Sequence, residues 1–256
     1  MRWKGLGLKV ISQSVACAQI FRAPKEGLRI LTYHTVGQHA HGDTLNLNTI
    51  SLEQFKTHLD VLRRYQCCPL LKANLPASKS VVAITFDDGY ADNLHIVAPL
   101  MLERCIPFTV FVTARFVREK EKGFLSASEL KELACLPGVT IGAHGNTHCD
   151  LTLCSAEKLL TELHESKRYL EDLLGAPITT MAYPYGAANR RVRDVVEYCG
   201  YELAACSYFD VNRPERDLLM LNRSVVLNGD SAKVVAQKIK GNWDWYRIRM
   251  TDPLEI

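Results

Sequence analysis

Two adjacent carboxylates follow an apolar run in this sequence, where they could bind a cation or exchange a proton. Residues 81–86 have the continuous apolar character of a strand that is buried on both faces, and Asp87-Asp88-Gly89 ends that run. Neighbouring like charges repel each other, and a cation or a shared proton relieves the repulsion. One hypothesis is therefore a metal site. The alternative is that Asp87 and Asp88 cap the helix predicted for residues 91–104.

A pair of histidines follows a second apolar run, residues 139–143. His144 and His148 are four residues apart, so they share one face of a helical turn or meet in a tight loop, and they can bind one divalent ion. The pair is not the zincin motif, because Gly145 stands where that motif has glutamate. Two histidines and one aspartate form a facial ligand set that leaves positions open for water and substrate. The two stretches together favour a metal site.

These motifs resemble those of a known family. The Thr-Phe-Asp-Asp-Gly run and the spaced histidine pair resemble the first two motifs of the polysaccharide deacetylases, the carbohydrate esterase family 4 with its nodulation-type deacetylase domain. The resemblance spans about residues 28–230 in motif order. It implies that Asp87 is the catalytic base, that Asp88, His144 and His148 bind one divalent metal ion, and that the substrate is an N-acetylated sugar. We expect zinc, with iron, cobalt, nickel and manganese as alternatives.

Two later motifs of the family depart from their usual form. Where Arg-x-Pro-Tyr is usual, residues 182–185 read Ala-Tyr-Pro-Tyr, so the arginine that steadies the base is absent at its position. Arg223 is the candidate replacement, and a surface arginine is the alternative. The late Leu-x-His motif, which supplies the general acid in many relatives, has no match. His34 is the candidate acid, because residues 31–34 and the Tyr-Pro-Tyr-Gly form resemble the exopolysaccharide-type branch; the alternative is a structural histidine.

Four residues are predicted to contact the substrate: Tyr183, Tyr185, Tyr208 and Asp210. The resemblance implies that a backbone N–H near Tyr185 completes the oxyanion site. Tyr208 and Asp210 follow an apolar run, and either a sugar subsite or a loop turn explains them. The aromatic residues at 243–246 are expected to pack on the domain rather than to stack on sugar.

Apolar runs alternate with helical patterns along the chain, which indicates a parallel α/β sheet. Residues with candidate chemistry follow these runs, and the carboxyl ends of parallel strands lie on one face of a barrel. These residues are His34, Asp87, Asp88, His144, Tyr185 and Asp210. We expect a single domain over residues 28–256, built as the irregular (β/α) barrel of about seven parallel strands that the resemblance implies. Residues 1–27 are expected to form a helical extension.

The composition of the chain indicates in which compartment the protein is expected and which partners it is not expected to bind. The chain has 256 residues and a net charge of +3, without a basic stripe interleaved with aromatics, so nucleic acid is not an expected partner. Nine cysteines without paired spacing suggest a reducing compartment, and we expect a cytoplasmic protein. No run reaches the length of a membrane span. The extension packs on the domain or, as an alternative, contacts a membrane surface. The oligomeric state is not predicted.

The sequence as a whole predicts a metal-dependent hydrolase that removes an N-acetyl group from a sugar. The substrate is a surface polysaccharide or its nucleotide-linked or lipid-linked precursor. One alternative keeps the metal site but cleaves an O-acetyl ester or another amide. The other is a catalytically inactive sugar-binding domain, which the missing arginine and late histidine favour and the intact Asp and His residues oppose.

Overall fold

The computed structural model describes residues 26–72 and 80–253, and a parallel sheet is its central element. The strands in chain order are β1 (Gly27–Tyr33), β2 (Thr35–Val36), β3 (Thr49–Ile50), β4 (Cys67–Cys68), β5 (Ser80–Phe86), β6 (Phe108–Val112), β7 (Val139–Ala143), β8 (Thr180–Ala182), β9 (Leu203–Ala205) and β10 (Ser224–Val225). Strands β2 and β3 form a separate pair, and the other eight form one sheet.

The large sheet curls toward a barrel. Seven of its strands follow the order β10-β1-β5-β6-β7-β8-β9, while β4 pairs with β5, and the pairs are parallel. Leu221, just before β10, bridges Ala205 of β9, so the segment that enters β10 also contacts the opposite edge of the sheet. The predicted irregular (β/α) barrel of about seven parallel strands is confirmed.

Six of the seven α-helices in the described residues lie between strands, as the alternating pattern predicts, and the last one follows β10. They are α1 (Leu52–Leu62), α2 (Ala98–Leu102), α3 (Ala114–Arg118), α4 (Ala127–Ala134), α5 (Ala156–Leu174), α6 (Arg190–Tyr198) and α7 (Ala232–Ile239). Polar side chains begin four of them: Ser51, Ser126, Ser155 and Asn189 each accept a hydrogen bond from a backbone N–H in the first turn.

Two stretches differ from the regular elements that their sequence predicts. The run at residues 218–221 suggests a strand, but it forms a turn in which Met220 donates its N–H to the Asp217 carbonyl at 3.0 Å. The single helix predicted for residues 91–104 is a π-helix over Asn93–Val97 followed by α2. Pro99 stands at the start of α2, and a proline has no N–H to continue a regular hydrogen-bond ladder.

Two apolar cores lie on the two faces of the curled sheet. In β5, Val82, Ile84 and Phe86 belong to the outer core, which also contains the buried faces of the helices. Val81 and Ala83 belong to the smaller inner core. Because side chains alternate along a strand, Thr85 and then Asp87 continue the inner set. The strand pattern therefore directs the first carboxylate into the barrel mouth.

The N-terminal extension predicted for residues 1–27 lies almost wholly outside the described residues, and the single domain over 28–256 stays a prediction. Within residues 26–72 and 80–253, no helix has both the length and the apolar composition that crossing a bilayer requires.

Candidate active site

Three predicted ligands come together at the carboxyl ends of β5 and β7. One ligand atom each from Asp88, His144 and His148 lies within 4.8 Å of the others. The Oδ1 atom of Asp88 is 3.1 Å from Nε2 of His148 and 3.4 Å from Nε2 of His144. Asp88 and His144 are buried, and His148 is half-buried. One side of the cluster therefore remains accessible.

The polar contacts around this cluster fit a divalent cation. The Ala182 carbonyl lies 2.8 Å from Nδ1 of His144 and can only accept, so Nδ1 carries the proton and Nε2 presents a lone pair. Oδ1 of Asp88 is buried, and among the described residues no donor makes a hydrogen bond of proper geometry to it. A buried carboxylate oxygen facing two imidazole nitrogens matches the Asp-His-His ligand set.

Electrostatics keep Asp88 and His144 in the forms that bind metal, whereas the pKa of His148 is raised because its contact with Asp88 outweighs burial. Burial lowers the pKa of His144 to about 4, so its imidazole is neutral at neutral pH. Burial alone would raise the pKa of Asp88, but contact with His148 and the nearby His34 and His144 outweigh it and lower that pKa. The carboxylate is therefore ionised. A neutral imidazole and an ionised carboxylate are the ligand forms of these side chains.

The backbone is held in an uncommon conformation at three positions of the site. Asp88 has φ 74°, His148 has φ 60° and Tyr185 has φ 59°, all in the left-handed region. Such conformations cost about 1–3 kcal/mol each and persist where the surroundings fix them. Half of the non-glycine residues with positive φ in the described part of the chain are these three. The uncommon backbone conformations are thus concentrated at the ligand cluster, where they direct these side chains towards each other.

Asp87 lies beside the cluster and is held by Arg223. The two guanidinium nitrogens of Arg223 donate to the two carboxylate oxygens of Asp87 at 2.7 and 2.9 Å, and both residues are buried. Nε of Arg223 donates to the Cys206 carbonyl at 3.2 Å, and its guanidinium lies over the Phe111 ring at 5.6 Å. The surface alternative for Arg223 is wrong, because only 1% of the residue is exposed.

The ion pair sets the charge and the direction of the Asp87 carboxylate. Burial raises its pKa, but Arg223 and His144 outweigh burial, so the pKa lies below its usual value. Oδ2 of Asp87 is 3.9 Å from Nε2 of His144, whereas Oδ1 of Asp88 is 3.4 Å from the same nitrogen. Asp87 is thus an ionised carboxylate next to the cluster and outside it.

His34 lies on the same face of the barrel, after β1. It is half-buried, it is among the groups that lower the pKa of Asp87 and Asp88, and its Nδ1 is buried without a hydrogen-bond partner among the described residues. The His34 carbonyl accepts a hydrogen bond from Asn93 at 3.4 Å. The structure therefore brings His34 near the two carboxylates.

Comparison with known proteins agrees with this arrangement. The family model for polysaccharide deacetylase matches residues 74–204, which include both carboxylates and both histidines. This chain belongs to the polysaccharide deacetylase family. Arg223 and His34 lie outside the matched residues.

Relatives of this chain match most of its length. YxkH of Bacillus subtilis, which carries the family's name, is 25% identical over 221 residues, which are 83% of this chain and 76% of YxkH. The Streptococcus pyogenes deacetylase PplD, solved in complex with acetate, superposes with a TM-score of 0.74 at 25% identity, over 85% of this chain and 99% of PplD. IcaB from Ammonifex degensii superposes with a TM-score of 0.69 at 25% identity, over 85% of this chain and 98% of IcaB.

The residues predicted to contact the substrate divide into three groups. Tyr183 is fully buried, and its hydroxyl donates to the Leu219 carbonyl at 2.7 Å, so the prediction that it contacts substrate is wrong. Tyr185 is 68% exposed, and its ring centroid lies 4.7 Å from that of His148. Tyr185 is therefore placed at the accessible side of the cluster.

Tyr208 and Asp210 line a surface groove of about 360 Å³ together with several arginines. The Asp210 carboxylate accepts the Val211 N–H at 2.8 Å and pairs with Arg247. Contact of Tyr208 and Asp210 with a sugar stays a prediction. The aromatic residues at 243–246 include Trp243, which is buried in a small cluster with Phe209, as packing predicts.

Glu162 of α5 supports the histidine turn and was not predicted from the sequence. It is buried, and its carboxylate accepts the N–H groups of Asn146 and Thr147 at 3.0 and 2.8 Å and the Thr147 hydroxyl at 2.6 Å. Ser166, one turn further, donates its hydroxyl to the Gly145 carbonyl at 3.0 Å. A charged residue on the buried face of an amphipathic helix is the sequence signal that marks Glu162.

Glu162→Gln is expected to weaken the binding of added zinc by about 10-fold, the lower end of the cost of losing a partner of a metal ligand, because Glu162 holds the turn and not His148 itself. The amide nitrogen of glutamine cannot accept a hydrogen bond. One of the two oxygens that hold Asn146 and Thr147, in the turn that carries His148, is therefore lost. Competition with a chromogenic chelator measures the affinity. The matched control is Glu157→Gln, on the exposed first turn of α5. Equal zinc affinity in both variants would contradict the supporting role of Glu162.

Proposed function

We propose that this chain is a metal-dependent hydrolase that removes an N-acetyl group from a sugar. The observation that carries the proposal is the convergence of Asp88, His144 and His148 beside the buried Asp87–Arg223 pair. Chitin deacetylase 1 of Cryptococcus neoformans and the peptidoglycan-N-acetylglucosamine deacetylase of Listeria monocytogenes are each 28% identical, over 48% and 53% of this chain. This chain spans only about a quarter of those two proteins.

In this proposal, Asp88, His144 and His148 hold one divalent ion, with zinc as the expected metal. A bound divalent ion polarises a carbonyl and makes a water molecule more acidic. The three ligands leave positions on the accessible side, next to Tyr185, for water and an acetamido group. Both His144 and His148 contribute neutral nitrogen ligands, so the single ligand charge comes from Asp88.

Asp87 accepts the proton of the attacking water. It lies next to the ligand cluster, and Arg223 holds both of its oxygens in one plane. A bidentate arginine fixes the direction of a carboxylate and keeps it ionised, although it also makes the carboxylate a weaker base. Arg223 thus supplies from the segment before β10 what the family's third motif usually supplies after β8. This pair favours an active enzyme over the inactive sugar-binding alternative.

His34 donates the proton that the leaving amine needs. His34→Ala is then expected to reduce kcat/KM by about 10²-fold and to remove the fall in rate on the alkaline side, since a general acid works only while protonated. Rate profiles between acidic and alkaline pH measure both effects. The control is His39→Ala, an exposed histidine in the neighbouring loop. A near-normal rate and an unchanged profile in His34→Ala would place the acid elsewhere.

Tyr185 bounds the acetamido site in this proposal. Its backbone N–H completes the oxyanion site by donating to the carbonyl oxygen of the acetyl group. Its exposed ring offers a face on which a sugar stacks. Tyr208 and Asp210, in the groove described above, bind a neighbouring sugar. The substrate is a surface polysaccharide or its nucleotide-linked or lipid-linked precursor, and the nine cysteines support a reducing compartment such as the cytoplasm.

Acetate release from chemically matched substrates tests the function. Zinc-loaded protein is offered N-acetylglucosamine oligomers, nucleotide-linked and lipid-linked N-acetyl sugars, and an O-acetylated sugar. We expect release from an N-acetyl substrate that a chelator abolishes and that added zinc restores. Release only from the O-acetylated sugar would favour the esterase alternative. Sugar binding without any release, in protein that holds zinc, would favour the inactive alternative.

A further inference from the structure

Two cysteines lie in contact directly after the last predicted metal ligand. The sulfur atoms of Cys149 and Cys154 are 3.4 Å apart, and Cys149 follows His148 in the chain. Eight cysteines are among the described residues, and all are in the thiol form. Among them, this pair is the one whose sulfur atoms touch. Cys67 and Cys68, which are neighbours in the chain, form β4.

We propose that Cys149 and Cys154 form a reversible disulfide that displaces His148 and so switches off the metal centre. The second half of this proposal rests on the proposed function. The oxidant is a low-molecular-weight disulfide, such as oxidised glutathione. Cys149 attacks it to give a mixed disulfide and releases one thiol; Cys154 then attacks the Cys149 sulfur and releases the second. The two protein thiols lose two electrons, and both protons leave on the two released thiols.

The two cysteines differ in solvent exposure, and this difference determines which of them reacts with the oxidant first. Cys149 is half-buried, whereas Cys154 is buried with 8% exposure. An oxidant in solution therefore reaches Cys149 first, and Cys154 resolves the mixed disulfide from inside. Attack on the oxidant requires the thiolate form of Cys149. A mildly alkaline incubation shortens the experiment.

Bond formation requires the two sulfur atoms to approach each other by about 1.4 Å, since a disulfide bond is about 2.05 Å long. The Cys154 end is anchored. Its carbonyl accepts a hydrogen bond from Arg191 at 2.9 Å, and Ser155, which follows it, caps α5. Arg191 also holds the Thr152 carbonyl at 3.1 Å. Glu162 and Ser166 hold residues 145–147, so His148 and Cys149 lie between two anchored stretches and take up the movement.

Movement of Cys149 acts on His148 through the backbone. His148 has φ 60°, an uncommon conformation that its surroundings must maintain. Its Nε2 atom faces Asp88 at 3.1 Å, so a small change in the backbone moves a ligand atom out of position. Metal sites depend on ligand positions to within about 0.5 Å. The disulfide thus couples oxidation to metal affinity.

Peptide mapping and zinc titration test the two halves separately on the full-length protein. After incubation with oxidised glutathione and alkylation of free thiols, we expect a peptide in which Cys149 and Cys154 are cross-linked. We also expect zinc affinity to fall at least tenfold and to recover fully with dithiothreitol. Cys149→Ser and Cys154→Ser should each abolish both effects. Cys199→Ser, which removes a half-buried thiol at the end of α6, should leave both unchanged.

The outcomes separate this proposal from the proposed function. Cross-links between other cysteines, or none, would overturn the disulfide. The expected cross-link with unchanged zinc affinity would overturn the switch. If reduced wild-type protein binds no zinc, the proposed metal centre fails, while the mapping still decides whether Cys149 and Cys154 pair.

Discussion

Replacing Asp87 by asparagine is expected to lower turnover by about 10²–10⁴-fold, the usual contribution of a general base, while zinc stays bound. Asparagine has nearly the same shape as aspartate, but its amide does not accept the proton of a water molecule at neutral pH. The ligand atoms belong to Asp88, His144 and His148, so the metal should remain. Turnover and elemental analysis of the purified variant measure the two quantities.

The same substitution also has a cost in stability that must be separated from catalysis. Arg223 is 1% exposed, and the carboxylate of Asp87 accepts a hydrogen bond from each of the two terminal nitrogens of Arg223. Removing one partner of a buried ion pair leaves an uncompensated charge, which costs about 3–5 kcal/mol. Denaturant unfolding of Asp87→Asn should reveal a loss of this size. A loss of turnover could then reflect partial unfolding.

A second variant distinguishes the two explanations. Asp87→Asn combined with Arg223→Met removes the unpaired charge and keeps a side chain of similar length, so stability should recover in part. Turnover should not recover, because the base is still absent. Asp217→Asn is the control, since Asp217 also pairs with an arginine but is partly exposed and lies outside the site. Substantial turnover in the stable double variant would refute Asp87 as the base.

The ligand cluster could be predicted because each motif follows a buried parallel strand. The rule that such strand ends meet on one face requires only the strands and their direction. This rule predicts that Asp88 and His144 lie close together, although 56 positions separate them in the sequence. The distances, the protonation of His144 and its contact with the Ala182 carbonyl depend on packing that no local pattern encodes.

Arg223 and Tyr183 mark where sequence reasoning reaches its limit. The Asp87–Arg223 contact joins residues 136 positions apart, through a segment that forms a turn and a single bridge rather than the predicted strand. Tyr183 and Tyr185 are two residues apart, a spacing that places both on one face of a strand. A 3₁₀ turn with positive φ at Tyr185 breaks that alternation, so one ring is buried and the other exposed.

Removal of a metal ligand is expected to give the other large effect. His144→Ala and Asp88→Ala should each reduce zinc affinity by more than the roughly 10–100-fold that an outer-shell change costs. Asp88→Ala removes the only ligand charge, and His144→Ala removes the most deeply buried nitrogen ligand. Elemental analysis should find about one ion per wild-type chain and none in either variant.

Thermal unfolding with and without zinc provides an independent measurement of the same site. A ligand that binds only the folded state stabilises it by about 4 kcal/mol at a thousandfold excess over its Kd, so zinc should raise the Tm of the wild type. His144→Ala and Asp88→Ala should lose that increase, whereas His34→Ala, a neighbouring histidine outside the cluster, should keep it. A zinc-dependent Tm in the two ligand variants would show that the ion binds elsewhere, and the Asp88-His144-His148 centre would then have to be abandoned.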